Sequence, residues 1–186
     1  MKKIIESLIF ASLLVTSHFA ISGEIENALS EGVESYKAGD LSSALSQLDH
    51  ATLLIRQKKS EQIIAAFPKP LSGWQENNED SDVSQLGINI SKSYSMKSSR
   101  ITIEIFSNSP AMVEVYQGMM DPKLVAIYGA KVVDIQGNKA VYSPFGGDEI
   151  NIMMVLNNMS VIMIKGPANV EKDILKYAQS INFSVL

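Results

Sequence analysis

The chain has 186 residues, an apolar fraction of 46% and a formal net charge of −4 at pH 7. This length and composition predict one domain with an appendage and allow a sizeable hydrophobic core. The acidic balance, without a clustered basic surface, argues against a nucleic-acid partner. Because no cysteine is present, the sequence excludes disulfides, a thiol nucleophile and acylation on cysteine.

The first residues have the order of an export signal. Lys2 and Lys3 precede a short apolar run, and small residues follow up to Ser22. We therefore predict a signal peptide over residues 1–22, cleaved after Ser22, with Ala20 as the alternative site and an uncleaved anchor as the less favoured reading. The mature protein is expected to be periplasmic or secreted by a bacterium, with no transmembrane segment after signal cleavage.

Two helical patterns flank Gly39 and predict an antiparallel helical hairpin over residues 23–67. Asp40 is expected to cap the second helix. The apolar stripe of that helix includes Leu45, Leu48 and Ile55, and the hairpin has no internal partner large enough to cover it. We expect it to pack on the rest of the chain or on a second subunit.

The hairpin resembles a single tetratricopeptide repeat over about thirty residues. The matching positions are Gly32, Tyr36, Gly39, Asp40, Leu41, Ala44, Leu48 and Ala51. Only one copy is visible, and the proline that usually ends a repeat is missing. A peptide-binding groove usually needs several repeats, so a structural hairpin is the favoured interpretation and a peptide-binding one stays open.

Residues 68–84 are predicted to be a linker. Pro68 ends the second helix because it removes a backbone donor, and Trp74, the only tryptophan, follows a rigid turn. The segment from Gln75 to Asp82 carries four carboxylates but lacks the glycine and glutamate that a calcium loop needs, so a solvated acidic loop is expected.

The remaining residues, 85–186, are predicted to form an α+β sandwich domain: an antiparallel sheet covered by helices. Apolar alternation and tight-turn signals indicate six strands. They lie near 86–91, 101–105, 132–135, 139–143, 150–156 and 159–165. The turns between them are expected at Lys97 to Ser99, Gly137-Asn138, 144–148 and Asn157-Asn158. A helix should start at Ser109-Pro110, and a final helix should be capped by Asn169.

The last two of these strands are apolar on both faces. Pairing across a two-residue turn at Asn157-Asn158 would place Ile150, Ile152, Met154 and Leu156 on one face with Met159, Val161 and Met163. The opposite face would carry Met153, Val155, Ile162 and Ile164. With Trp74, these four residues are the candidate binding residues, although a core hairpin between helices is the favoured interpretation.

No catalytic residue, metal ligand or cofactor is predicted. His50 is the one histidine after the leader, and it lacks the partners of a zinc site or a triad. Glu104 on its strand and Asp148-Glu149 at a turn would supply a carboxylate pair for a hydrolase if the fold brought them together, and their separation does not follow from the sequence.

From residue 70 onward the chain resembles small exported domains of the PsbP-like α/β/α sandwich type, and similar uncharacterised bacterial envelope proteins. The resemblance rests on Pro68 to Trp74, on the turn from Ile135 to Ala140 and on Val170 to Phe183. It implies a non-catalytic accessory or protein-interaction module. The expected partner is another envelope protein or a second copy of the chain. The alternatives are a carrier of small apolar ligands and an unrecognised hydrolase.

Overall fold

The computed structural model describes residues 22–145, 148–156 and 159–186. Within these residues the fold is α+β, as predicted, with five α-helices and one seven-stranded antiparallel sheet. Two compact units divide the chain, one up to Lys58 and one from Lys59 onward. The predicted export signal up to residue 21, Gly146-Gly147 and the turn at Asn157-Asn158 lie outside the described residues.

The first unit contains the predicted hairpin. Helix α1 covers residues 22–37, and helix α2 is Leu41–Ile64, whose last residues belong to the second unit. Gly39 turns the chain with φ of 83°, a left-handed conformation that glycine adopts without steric cost. Asp40 caps α2 as predicted, since its carboxylate accepts hydrogen bonds from the Ser43 backbone N–H at 3.0 Å and from the Ser43 hydroxyl at 2.7 Å. These hydrogen bonds, the backbone one first, lower the pKa of Asp40.

The second unit is organised by the sheet, whose strand order is β1-β2-β3-β7-β6-β5-β4. The strands are β1 Gln75–Ser84, β2 Gly87–Met96, β3 Ser99–Ser107, β4 Lys131–Ile135, β5 Asn138–Phe145, β6 Glu149–Val155 and β7 Ser160–Pro167. Two meanders, β1 to β3 and β4 to β7, therefore meet where β3 pairs with β7. Between them run helices α3, Pro110–Met119, and α4, Pro122–Ile127.

Helix α5, Glu171–Gln179, packs on β7 and closes the main core. Its buried stripe of Ile174, Tyr177 and Ala178 follows the prediction. Asn169 is not the N-cap of α5, however, because it lies within a 3-10 helix, Ala168–Val170, that precedes α5. No side chain caps α5. The negative charges of Glu171 and Asp173 lie in the first turn, where the helix dipole favours them.

One hairpin turn lies one residue away from its predicted position, and another is one residue shorter than predicted. Ile135 pairs with Asn138, so the turn residues are Gln136 and Gly137, with φ of 53° and 80°. Two consecutive positive φ values are the requirement of the tight turn that matches strand twist. Met96 pairs with Ser99, so the turn predicted over Lys97 to Ser99 contains only Lys97, with φ of 54°, and Ser98.

The predicted face assignment of β6 and β7 is wrong by one residue. Ile152 pairs with Ile164, and Met154 pairs with Ile162, so these four side chains share the core face. The reason is a one-residue shift in pairing: the Leu156 N–H bonds to the Ser160 carbonyl oxygen at 2.8 Å, whereas the predicted two-residue turn would pair Leu156 with Met159. Since strand side chains alternate with period two, a shift of one residue moves a whole strand to the other face.

On the reverse face of the sheet, Met153 pairs with Met163 and Val155 pairs with Val161. Val161 is buried, whereas Met153, Met163 and Val155 are half-buried. Helix α3 contacts β6 and β7, and the ring of its Tyr116 lies 6.2 Å from that of Phe106 in β3. Both faces of this strand pair are therefore substantially covered by protein.

The predicted acidic loop is also wrong, because its residues form β1 at one edge of the sheet. A β-bulge interrupts this strand: Glu76 pairs with Tyr94 and Glu79 with Lys92, so three steps on β1 match two on β2. The sequence gives no strand pattern here, yet β2 supplies hydrogen-bond partners for the backbone while the charged side chains of an edge strand stay in water.

Candidate interaction surface

An open apolar groove lies along one side of the α1–α2 hairpin. Its volume is about 430 Å³. The lining residues are Gly32, Val33, Tyr36, Leu41, Ala44, Leu45 and Leu48. Tyr36 is 68% exposed, Leu45 64% and Leu41 60%. Large side chains this exposed and this close together are unusual on a monomer, because water contact with them is unfavourable.

Small residues explain why the groove exists. Ala28, Ala44 and Ala51 are buried, and a Cβ atom on Gly32 would lie 3.2 Å from Leu48 Cγ. The helices thus approach closely through small side chains. The large side chains beside this contact remain exposed at the surface of the helix pair, because the closely packed helices leave no space for them in between.

The other side of the hairpin is polar and contains His50. Its Nε2 lies 3.5 Å from Glu24 Oε1, and its side chain is 47% exposed. Glu31, Ser46 and Gln47 line the same shallow depression. His50 is therefore a surface residue between the two helices, as the sequence predicts, and the contact recorded for its ring is with Glu24.

Three of the five predicted binding residues are core residues. Trp74 is 5% exposed, and Ile162 and Ile164 are fully buried. The Trp74 indole donates a hydrogen bond to Asp173 Oδ2 at 3.1 Å, and its ring meets Tyr177 edge to face at 5.8 Å between centroids. Trp74 thus connects the turn after α2 to helix α5. The remaining two, Met153 and Val155, lie on the reverse face and do not join Trp74 in one surface.

Hydrogen bonds strengthen this joint. Tyr177 Oη accepts a hydrogen bond from the Leu71 N–H at 3.1 Å, and Tyr94 donates to the Pro68 carbonyl oxygen at 2.6 Å. Burial raises the pKa of both tyrosines. The Lys176 hydrogen bond, with a smaller contribution from Trp74, lowers the pKa of Asp173. These shifts reflect packing in a structural joint.

Lys92 occupies a core-facing position of β2, between Ile90 and Tyr94. Its Nζ lies 2.9 Å from Glu76 Oε1 and 3.6 Å from Glu79 Oε2, and its side chain is 11% exposed. The bulge in β1 is what brings both carboxylates to the same lysine, since without it residues three apart would point to opposite faces. One lysine therefore faces two carboxylates in an ion-pair cluster at the edge of the sheet.

The carboxylates suggested for a hydrolase are not brought together. Glu104 pairs across the sheet with Met163, and Glu149 pairs with Pro167. Their pairing positions are therefore four residue steps apart on β7, about 13 Å along the strand direction, which exceeds the spacing that two carboxylates need for glycoside hydrolysis. Glu104 Oε1 instead forms an ion pair with Lys165 at 3.1 Å.

Within the part of the chain that the structure describes, no group of three or more acidic or histidine side chains is placed to hold a metal ion. None of the helices in residues 22–145, 148–156 and 159–186 combines the length and the apolar character needed to cross a membrane.

Comparisons with protein-family models, curated proteins and solved structures give no match to this chain. The resemblances to a tetratricopeptide repeat and to the PsbP-like sandwich therefore stay predictions.

The sequence carried a signal for the groove. A lone helical repeat cannot bury its own apolar face, and Leu45, Leu48 and Ile55 were expected to need a cover. The structure adds that the exposed set also includes Leu29, Val33, Tyr36 and Leu41. Their exposure could not be read from spacing, because the same spacing describes the buried stripe of an ordinary helix.

Proposed function

We propose that this chain is a non-catalytic protein-interaction module of the bacterial envelope, and that the apolar groove of its hairpin is the contact surface. The observation that carries the proposal is the concentration of large exposed side chains on one side of α1 and α2. Exposed contiguous apolar surface of this kind is typical of protein contact sites. Tyr36 and the leucines supply the rigid aromatic and aliphatic anchors of such contacts.

The openness of the groove favours a protein over a small molecule. Ligand pockets enclose most of a bound molecule's surface. Here the large lining side chains Val33, Tyr36, Leu41, Leu45 and Leu48 are 41% to 68% exposed. A partner that lays its own apolar face along both helices would bury them, as helix-in-groove complexes do.

The compartment is part of the proposal and rests on the leader. Its charged, apolar and small-residue segments have the order of an export signal. Amino-terminal sequencing of protein from the native envelope should give Gly23 as the first residue. Recovery of Met1 from cytoplasmic protein would contradict export.

The contact surface can be tested by paired variants in the native host. Leu45→Ser with Tyr36→Ser removes two exposed groove side chains, and Ile127→Ser with Tyr128→Ser removes two comparably exposed side chains at the end of α4. We expect the groove pair to lose cross-linked complexes in cells while keeping the unfolding midpoint of the native protein. The control pair should keep the complexes.

Two results would contradict this assignment. Unchanged cross-linking in the groove pair would place the interaction elsewhere. Loss of both cross-linking and stability would show that Tyr36 and Leu45 contribute to the folded core, so that the groove is covered by the chain itself.

A further inference from the structure

We infer that the occupant of the groove is a second copy of this chain, packed about a two-fold axis with α1 antiparallel to α1 and α2 antiparallel to α2 of the copy. The inference rests on the proposed function and names its partner. It is carried by three observations on the hairpin: the amount of apolar surface, the alignment of the two helices, and the placement of charge at the rim.

The exposed apolar surface suits a small symmetric interface. Six groove-side residues are between 40% and 68% exposed. They are Leu29, Val33, Tyr36, Leu41, Leu45 and Leu48. Together they expose on the order of 600 Å² of accessible surface, which is the upper end of the size of the largest apolar patch on a typical monomer. Two copies would bury on the order of 1,200 Å², the lower end of specific stable interfaces, so a dimer that dissociates on dilution is expected.

The alignment of the two helices allows a single two-fold axis to relate both α1 and α2 to their counterparts in the copy. A Cβ atom on Gly32 would lie 3.2 Å from Leu48 Cγ and 3.5 Å from the Ala44 carbonyl oxygen. The middle of the groove side of α1 therefore lies level with the middle of the groove side of α2. A two-fold axis at this level maps each helix onto its own copy in the antiparallel direction, which gives an isologous interface.

The charges at the rim select the antiparallel arrangement. Glu26 lies three residues before Leu29 and Lys37 four residues after Val33, so both lie on the groove side of α1, at its two ends. Both are exposed, and neither forms an ion pair with another described residue.

The midpoint between Glu26 and Lys37 falls beside Gly32, at the level of the axis. Each Glu26 then faces Lys37 of the copy, and the pair occurs twice. A parallel arrangement would instead bring like charges together, which is unfavourable.

The first experiment is sedimentation of the chain purified from its native envelope, over a range of concentrations up to about 100 µM, which detects a dimer with a dissociation constant in the micromolar range or below. We expect a monomer–dimer equilibrium. Leu45→Asp should give a monomer at every concentration, because it places a charge in the centre of the interface.

Charge reversal tests the antiparallel geometry without touching the core. At low salt Glu26→Lys and Lys37→Glu should each raise the dimer dissociation constant about tenfold, since each replaces two exposed ion pairs with two repulsive ones. The double variant, Glu26→Lys with Lys37→Glu, should restore the native constant. High salt should remove these differences. Glu31→Lys on the polar side of α1 is the matched control and should have no effect.

Three outcomes would overturn the inference. They are a monomer at all concentrations, a dimer that survives Leu45→Asp, and a double variant no better than the single ones. A monomeric chain that still cross-links through Tyr36 and Leu45 to a different envelope protein would overturn this inference and leave the proposed function standing.

Discussion

The close approach of α5 to the sheet depends on Gly166 in β7, and its replacement has a predictable cost. A Cβ atom at this position would lie 3.0 Å from Ile174 Cδ1 and 3.1 Å from Ile101 Cγ1, tighter than ordinary contacts. Both isoleucines are fully buried, so neither has open space to move into. Gly166→Val should therefore lower the free energy of unfolding by about 1–3 kcal/mol. The melting temperature should fall by roughly 2–4 °C per kcal/mol.

Urea unfolding followed by Trp74 fluorescence measures this cost, because Trp74 is buried in the same unit. The matched control is Gly118→Ala in α3, where a Cβ atom meets nothing within 4 Å. This control should be neutral or raise the free energy of unfolding by up to about 1 kcal/mol, since alanine favours helix over glycine. In an Ile174→Val background, which lacks the Cδ1 atom nearest Gly166, the cost of Gly166→Val should be smaller.

Two results would refute this reasoning. A Gly166→Val variant with the native urea midpoint would show that the space between α5 and β7 is larger than the contact distances imply. An equal cost in the native and Ile174→Val backgrounds would show that Ile174 is not the side chain that limits the approach.

Two further predictions concern buried polar groups. Tyr142 donates to Glu171 Oε1 at 2.7 Å, and burial together with this carboxylate raises the Tyr142 pKa to about 12 from 10.0. The folded chain holds this proton more tightly, so stability is full below pH 10 and falls between pH 10 and 12. Tyr142→Phe should reduce that fall in urea titrations, and an identical pH profile would contradict the assignment. Lys92→Met should change the free energy of unfolding by less than about 1 kcal/mol, because methionine fills much of the space of the lysine stem and the released carboxylates, 40% and 26% exposed, can be hydrated. The contact of the Lys92 ammonium with the Phe67 ring is lost in this variant. Lys92→Ala should lower the free energy of unfolding by about 2 kcal/mol, because the shorter side chain leaves a cavity. Equal losses for Lys92→Met and Lys92→Ala would show that the ion pairs of Lys92, and not its packing, contribute this stability.

Local sequence patterns determined the hairpin and most of the sheet. Gly39 and Asp40 predict the turn and cap because glycine adopts positive φ without steric cost and a short carboxylate accepts hydrogen bonds from the first turn of a helix. Alternating isoleucines in β2 and β3 predict strands with one buried face, and the structure confirms them. These features depend on neighbours within a few residues, so the sequence contains what is needed.

Register and edge pairing were decided by tertiary structure. The pairing of β6 with β7 is shifted by one residue from the predicted register, so the side chains of β7 lie on the faces opposite to those predicted. No single residue type indicates this shift. The strand Gln75–Ser84 has the composition of a loop and becomes β-structure because β2 offers it a free edge. Each outcome depends on a partner distant in sequence, whose backbone hydrogen bonds outweigh local preference.

The same division applies to the candidate surface. The sequence determined that the hairpin has a large apolar stripe and small residues at Gly32, Ala44 and Ala51. Only the structure decided that close packing through these small residues leaves Tyr36 and Leu45 mostly exposed. Periodicity reports which side chains share a face, whereas burial depends on what the rest of the folded chain places against that face.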